Sequence, residues 1–168
     1  IIRPEADFTV NDDSVCLGTA IAFEDISDPN GGNIIDWFWD FDDGNTANVQ
    51  NISHVYDEPG TYYVSLTITN SLGCQDNKVK PVHVFYPPVA QFTYDDVTCL
   101  GDSIHFENES YTTGVNSIVS YNWNFGDGST STEENPVHYF DDPGSYFITL
   151  TITDDAGCID VASEYIEI

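Results

Sequence analysis

The stretch Ile35-Asp36-Trp37-Phe38-Trp39-Asp40-Phe41-Asp42-Asp43-Gly44 decides the fold of this 168-residue chain, because a second version of it begins 84 positions later. The second version reads Val119-Ser120-Tyr121-Asn122-Trp123-Asn124-Phe125-Gly126-Asp127-Gly128. In both versions large apolar residues alternate with mostly polar ones, which predicts a half-buried β-strand. The Asp-Gly pair then ends the strand in a turn. The inward positions are predicted to be Ile35, Trp37, Trp39 and Phe41, and in the second version Val119, Tyr121, Trp123 and Phe125.

The residues around these strands repeat as well, so we predict two domains, residues 1–86 and 87–168. Each domain contains six or seven short apolar runs separated by turns, with no helical periodicity. This pattern predicts an all-β chain of two tandem antiparallel β-sandwiches. In the first domain the clearest strand has Tyr62, Val64, Leu66 and Ile68 on its buried face, and the last strand is predicted over 79–85.

The charge of the chain is strongly one-sided. It has 29 acidic residues against three Lys and Arg, a net charge of −26. Such a surface repels nucleic acid and anionic lipid, since both need basic side chains in a binding protein. We therefore expect no nucleic-acid partner, no membrane insertion and a soluble monomer. Carboxylates placed to hold divalent cations are the alternative explanation of the charge.

Four cysteines occupy matched places, Cys16 with Cys99 and Cys74 with Cys158. Their spacing does not fit a zinc site, so disulfides and an extracytoplasmic location are expected. The predicted topology places Cys16 and Cys74 at opposite ends of a sandwich, roughly 20 Å apart, which is too far for one bond. A bond from Cys16 to Cys158 across the junction of the domains fits that topology better.

The stretches Trp-Asp-Phe-Asp-Asp-Gly (39–44) and Trp-Asn-Phe-Gly-Asp-Gly (123–128) resemble the Trp-Asp-Phe-Gly-Asp-Gly hallmark of PKD (polycystic kidney disease) domains. The later His-x-Tyr/Phe, Pro-Gly-x-Tyr and Leu-Thr-Ile-Thr runs fit the same family. The resemblance implies immunoglobulin-like sandwiches that are not enzymes. It also implies one disulfide per domain, Cys16–Cys74 and Cys99–Cys158, so the pairing stays open between the two schemes.

Three further expectations concern side chains near the turns. Tyr62 and Tyr146 directly follow Pro-Gly turns and resemble tyrosine corners, whose hydroxyl bonds back to the turn. His54 and His138 are expected to bond backbone at a sheet edge. Asp42 and Asp43 are expected to serve the turn rather than acid–base catalysis.

Calcium is the one cofactor that the sequence suggests. Ser27-Asp28-Pro29-Asn30-Gly31 followed by Asp36 resembles a loop of calcium-binding PKD domains, which predicts a site at Asp28, Asn30 and Asp36. The second domain lacks these residues. Alternatively, calcium would clamp together acidic turns of the two domains at their junction, among them Asp57 of the first domain and Asp154 of the second.

The Cys-x-Gly and Gly-Cys pattern is similar to PKD repeats of Bacteroidetes surface proteins, including gliding-motility adhesins. This implies a semi-rigid, acidic, non-catalytic stalk at the cell surface, whose partners are neighbouring repeats and a surface polysaccharide or substratum. PKD domains also accompany secreted collagenases, chitinases and peptidases, so an accessory spacer or docking segment of a secreted hydrolase is the alternative. Phe38 is the exposed aromatic residue that the sequence offers for sugar binding.

Overall fold

The computed structural model describes residues 3–96 and 100–168. These residues form two compact units: unit 1 ends at Phe85, and unit 2 begins at Tyr86. Both units are built from β-strands, which confirms the predicted all-β sandwiches. None of the described residues belongs to a helix long and apolar enough to cross a membrane.

Unit 1 contains two facing sheets. The three-stranded sheet has the order β1-β3-β6 and the five-stranded sheet has the order β2-β8-β7-β4-β5. Neighbouring strands are antiparallel except β2 and β8, which run parallel. The strands are β1 (Phe8–Val10), β2 (Ser14–Cys16), β3 (Ile21–Asp25), β4 (Ile34–Asp40), β5 (Thr46–Ala47), β6 (Ile52–His54), β7 (Gly60–Asn70) and β8 (Gln75–Phe85).

Unit 2 repeats this arrangement. One sheet has the order β13-β10-β9 and the other β12-β11-β14-β15. The strands are β9 (Phe92–Tyr94), β10 (Ile104–Asn108), β11 (Ile118–Asn124), β12 (Thr130–Ser131), β13 (Val137–His138), β14 (Ser145–Asp154) and β15 (Ile159–Glu167).

A buried tryptophan lies at the centre of each core. Trp39 is fully buried and meets the ring of Phe8 edge-on, with 5.1 Å between the ring centroids. Its indole N–H donates to the carbonyl of Val49 at 2.9 Å, so the polar end of the ring is satisfied inside the apolar core. Trp123 is equally buried and donates to the carbonyl of Glu133 at the same distance. The predicted central role of the two tryptophans is confirmed.

The prediction that Ile35 and Val119 face inward is wrong. Their exposed fractions are 62% and 61%. A β-bulge shifts the pairing of β4 with β7 between Ile34 and Asp36, and β11 carries the same irregularity. Because a bulge inserts one residue into the alternation, the preceding Ile34 packs against the core instead.

The final strand of unit 1 is longer than predicted. Val64, Leu66 and Ile68 of β7 are buried as expected, but β8 begins at Gln75 rather than at residue 79. The added residues are polar and carry no apolar alternation. They pair with the outer part of β7, where Asn77 Nδ2 donates to Thr67 Oγ1 at 2.9 Å.

The pairing Cys16–Cys74 implied by the family resemblance is wrong. Cys16 is disulfide-bonded and Cys74 is a free thiol. Cys16 lies beside Phe85 at the end of β8, whereas Cys74 precedes its first residue. Eleven extended residues separate the two ends by about 36 Å, far beyond disulfide reach.

The other half of that scheme involves Cys99, which lies outside the described residues. Cys158 is disulfide-bonded. The alternative bond from Cys16 to Cys158 agrees with the bonded state of both cysteines and stays a prediction, which peptide mapping without reductant would check.

Candidate functional site

The Asp-Gly turn after β4 is held by carboxylates that accept backbone N–H groups. Asp40 Oδ1 accepts the N–H of Asp42 at 3.0 Å, and Asp43 Oδ1 accepts that of Asn45 at 2.9 Å. These side chains favour such turns because each bonds backbone two residues ahead. Gly44 has φ of +90°, which a residue without Cβ adopts freely. The expectation that the side chain of Asp43 serves the turn is confirmed, whereas the carboxylate of Asp42 bonds the backbone of β7.

His54 joins this turn through a short bond to a carboxylate. Its Nε2 lies 2.6 Å from Asp43 Oδ2, and its ring stacks on Phe41 with centroids 4.1 Å apart. The two bonded side chains are only 15% and 14% exposed. The expected bond from His54 to backbone is therefore wrong. The partner of His54 is the carboxylate of Asp43 in the Asp-Gly turn. The spacing of strands along the sequence does not reveal this contact.

The electrostatics of Asp43 follow from this environment. Burial raises the pKa of its carboxyl group, but hydrogen bonds from His54 and Asn45 lower the pKa by more, and the net shift is downward. The ionised carboxylate is therefore stabilised in the folded unit.

Unit 2 contains the same pair. His138 Nε2 lies 2.7 Å from Asp127 Oδ2, and the ring of His138 stacks on Phe125 at 4.2 Å. The pKa of Asp127 is also lowered: burial opposes the shift, and hydrogen bonds from Ser129 and His138 outweigh it. Because the Asp–His pair recurs with the same stacking in both units, we interpret it as a structural feature of the domain. Its geometry joins a strand end to a turn.

The chain departs from the hallmark at two positions, where Asp42 replaces Gly and Asn124 replaces Asp. Both departures have structural explanations. Asn124 Oδ1 accepts the N–H of Gly126 at 2.9 Å, as Asp40 does for Asp42 in unit 1. Asp42 and Gly126 both have positive φ, +63° and +76°. Asp42 tolerates this conformation while its Oδ2 accepts the N–H of Tyr63 at 2.9 Å.

Both predicted tyrosine corners are present. The hydroxyl of Tyr62 donates to the carbonyl of Glu58 at 2.8 Å, and that of Tyr146 donates to the carbonyl of Asp142 at 2.9 Å. Behind Tyr62 the ring of Tyr56 stacks at 4.0 Å, and its hydroxyl donates to the carbonyl of Phe41. Burial raises the pKa of Tyr56. Through these bonds and the stacked rings, the Pro-Gly turn is connected to the Asp-Gly turn after β4, which we call the hallmark turn.

The predicted calcium ligands lie on two elements. Asp28 Oδ1 accepts the N–H of Asn30 at 2.8 Å, and the backbone of Asp28 bonds that of Glu5 in both directions. Asp36 is on β4 opposite Thr69. All three side chains are exposed.

No three His, Cys, Asp or Glu side chains of residues 3–96 and 100–168 lie together so as to hold a metal ion. The predicted set includes the amide of Asn30 and only two carboxylates, so calcium at this set remains a prediction.

Exposed aromatic rings occur on the outer faces of both units. Phe38 is 39% exposed, as expected from its outward position. In unit 2, Phe147 and Tyr165 are 44% and 67% exposed, are paired across β14 and β15, and have ring centroids 4.7 Å apart. Alternation along β14 marks Phe147 as outward-facing, but its pairing with Tyr165 was not predicted, because the partner ring is set by the register of β14 with β15.

A family model described as PKD domain matches residues 2–85 and, a second time, residues 86–168. The chain belongs to the PKD domain family. It is a tandem pair of PKD domains, and domains of this family are generally non-catalytic modules. The bonded Cys16 and Cys158 indicate that this pair resides in an oxidising, extracellular environment.

The PKD pair is similar to parts of much longer proteins. It is 38% identical over 81 residues to a microbial collagenase of Vibrio alginolyticus, covering 48% of this chain and 10% of the collagenase. It is 41% identical to the PKD1 domain of the metalloprotease PrtV of Vibrio cholerae, covering 49% of this chain and 96% of that domain, with a TM-score of 0.45.

The fibronectin(III)-like modules of Clostridium thermocellum CbhA share the fold alone. Their TM-score is 0.54 at 12% identity, with 96% of this chain and 93% of that chain covered. The match to the collagenase shows that the PKD pair spans only a small part of the length of its curated relatives.

Proposed function

We propose that the PKD pair is a non-catalytic spacer within a larger extracellular protein. The supporting observation is that the polar side chains of the hallmark are used within each domain. Asp43 bonds His54 and the turn backbone, Asp127 does the same with His138, and Tyr62 closes its own corner. Groups engaged in this way stabilise a sandwich and contribute little to ligand binding.

Two kinds of parent protein suit such a spacer. Relatives named as collagenases and a metalloprotease favour an accessory segment of a secreted hydrolase. The other kind of parent protein is a large bacterial surface adhesin, in which the pair would be part of the stalk. The cysteine pattern favours this parent, as does the −26 charge, which keeps long arrays soluble. Full-length sequence separates them: a peptidase or glycosidase domain beside the pair supports the hydrolase, whereas many similar repeats support the adhesin.

Co-sedimentation tests the spacer role on the chain itself. The 168-residue protein is mixed with insoluble collagen and with chitin, and the pelleted fraction is measured over a range of protein concentrations. A spacer stays in the supernatant, as does an unrelated acidic β-sandwich used as the control. Saturable pelleting of the PKD pair would contradict the spacer role.

A docking role is the second candidate function, and the aromatic pair on unit 2 favours it. Phe147 and Tyr165 present adjacent exposed rings, and aromatic faces of this kind stack on sugar rings. The acidic surface disfavours anionic glycans, so the ligand would be a neutral polysaccharide. Affinity electrophoresis in gels containing a neutral polysaccharide should then show retardation that the double variant Phe147→Ala/Tyr165→Ala loses and Phe38→Ala keeps. Equal mobility of all three proteins excludes docking through this pair.

A further inference from the structure

Cys74 and Cys158 occupy the same position in the same kind of turn. The N–H of Asn70 donates to the carbonyl of Cys74 at 3.0 Å, and that of Asp154 donates to the carbonyl of Cys158 at 2.9 Å. Oδ1 of Asn70 accepts the N–H of Cys74 at 3.0 Å, and Oδ1 of Asp154 accepts that of Cys158 at 2.8 Å. The backbone that presents each sulfur is therefore built in the same way.

The two cysteines differ in their state. Cys158 is fully buried and disulfide-bonded, whereas Cys74 is half-buried and free. The turn that carries Cys158 thus shows that this position of a PKD repeat accommodates a disulfide.

A second difference lies in the side chain that holds the turn. Asn70 is fully buried, and its Nδ2 has no hydrogen-bond partner in the described part of the chain. In unit 2 the equivalent Asp154 is also buried, and its Oδ2 accepts Asn116 Nδ2 at 3.2 Å. Buried polar groups normally have partners, so the turn of unit 1 is incomplete where that of unit 2 is complete.

We propose that Cys74 is a half-cystine that forms a disulfide with a cysteine of another PKD repeat, outside these 168 residues. Cys16 is already bonded and lies about 36 Å away along β8. A neighbouring repeat with the same cysteine pattern would contain a cysteine that could bond Cys74, in the way that Cys158 is bonded in this chain. The bond would lock neighbouring repeats covalently, which goes beyond a spacer role.

The reaction is thiol–disulfide exchange with glutathione as the co-reactant. The partner cysteine first forms a mixed disulfide with oxidised glutathione, releasing one reduced glutathione. The Cys74 thiolate then attacks the sulfur of the partner cysteine, the new S–S bond forms as the partner–glutathione bond breaks, and the second glutathione leaves as a thiolate that takes up the proton. Two cysteine thiols are oxidised and one oxidised glutathione is reduced to two thiols.

The first test uses the natural chain. Native protein is incubated with oxidised glutathione and digested without reductant, and the peptide that contains Cys74 is analysed by mass spectrometry. We expect a mixed disulfide with glutathione at Cys74, and Cys74→Ser is the control without this adduct. A Cys74 that stays unmodified in the native chain, while the unfolded chain reacts, overturns the proposal.

The second test supplies a neighbouring repeat. Residues 1–84 are placed ahead of the complete chain, and the three-repeat protein is oxidised in glutathione buffer. We expect peptide mapping to find Cys74 of the central repeat bonded to a cysteine of the added repeat, with maleimide labelling of Cys74 reduced to background. Labelling as complete as in the natural chain overturns the proposal. A tryptophan emission maximum equal to that of the natural chain confirms that the repeats are folded, so this outcome is distinct from a failure of the fold.

Discussion

Replacing Asp43 by Asn tests whether the Asp–His pair holds the hallmark turn. The change keeps an oxygen for the N–H of Asn45 but removes the charge that faces His54 Nε2 at 2.6 Å. Hydrogen bonds to charged groups contribute roughly 1.5–3 kcal/mol, and both side chains are about 85% shielded from solvent. We therefore expect a loss of about 2 kcal/mol, which for a domain of this size lowers the melting temperature by roughly 8–16 °C.

The effect of the Asp43 substitution should depend on pH in a defined direction. The pKa of Asp43 is lower in the folded unit than in the unfolded chain, because the hydrogen bonds from His54 and Asn45 outweigh burial. The contribution of the carboxylate is therefore fully present above the unfolded pKa near 4 and is lost as pH falls through the lowered pKa. The difference between wild type and Asp43→Asn should shrink toward zero in that acid range.

Native-state hydrogen exchange measured by mass spectrometry provides the assay, since it reports opening free energies for peptides of each unit. Asp57→Asn is the matched control, because it removes the same charge from an exposed turn of unit 1. Asp127→Asn makes the equivalent change in unit 2. Equal opening free energies of unit 1 in the Asp43→Asn and Asp57→Asn variants at neutral pH would refute the role of the Asp–His pair. A loss of opening free energy in Asp43→Asn that persists unchanged in acid would refute it as well.

Three further substitutions test other parts of the account. Tyr62→Phe should cost about 1 kcal/mol of unfolding free energy in urea, because the bond to Glu58 is lost while the ring remains; an unchanged midpoint would show that the corner contributes nothing. Gly126→Ala should cost at least about 2 kcal/mol, since a Cβ there would lie 2.9 Å from the backbone N and O of Phe147 at a φ of +76°; wild-type stability would contradict the close approach. Calcium at the predicted site should raise the melting temperature at millimolar concentration, and Asp28→Asn should remove that rise; equal melting with calcium and with a chelator would exclude the site.

The alternation of apolar residues predicted the elements that are regular. Trp39 and the inward residues of β7 are buried as the period of two requires, and Tyr62 forms the corner that the Pro-Gly turn suggests. These features depend on local sequence and on one buried face. The alternation failed at Ile35, because a bulge changes the phase of a strand without leaving a mark in its composition.

The features that the sequence did not predict depend on contacts between distant residues. The partner of His54 is a carboxylate eleven positions earlier, and that contact is created when β6 is placed beside the hallmark turn. The pairing of Phe147 with Tyr165 depends on the register of β14 with β15. The predicted topology placed Cys16 and Cys74 at opposite ends of the sandwich, as the structure does, but the parallel pairing of β2 with β8 that fixes the position of Cys16 was not predicted.

A replacement experiment in a relative tests the spacer role most directly. The 81-residue segment of the Vibrio alginolyticus collagenase that matches this chain is deleted, replaced by the matching segment of this chain, or replaced by a Gly/Ser linker of equal length. Collagen hydrolysis is then compared with hydrolysis of a short peptide. A PKD spacer predicts that the segment from this chain restores collagen hydrolysis lost on deletion, whereas the linker does not. Collagen hydrolysis as low with this segment as with the deletion, at unchanged peptide hydrolysis, would contradict the account.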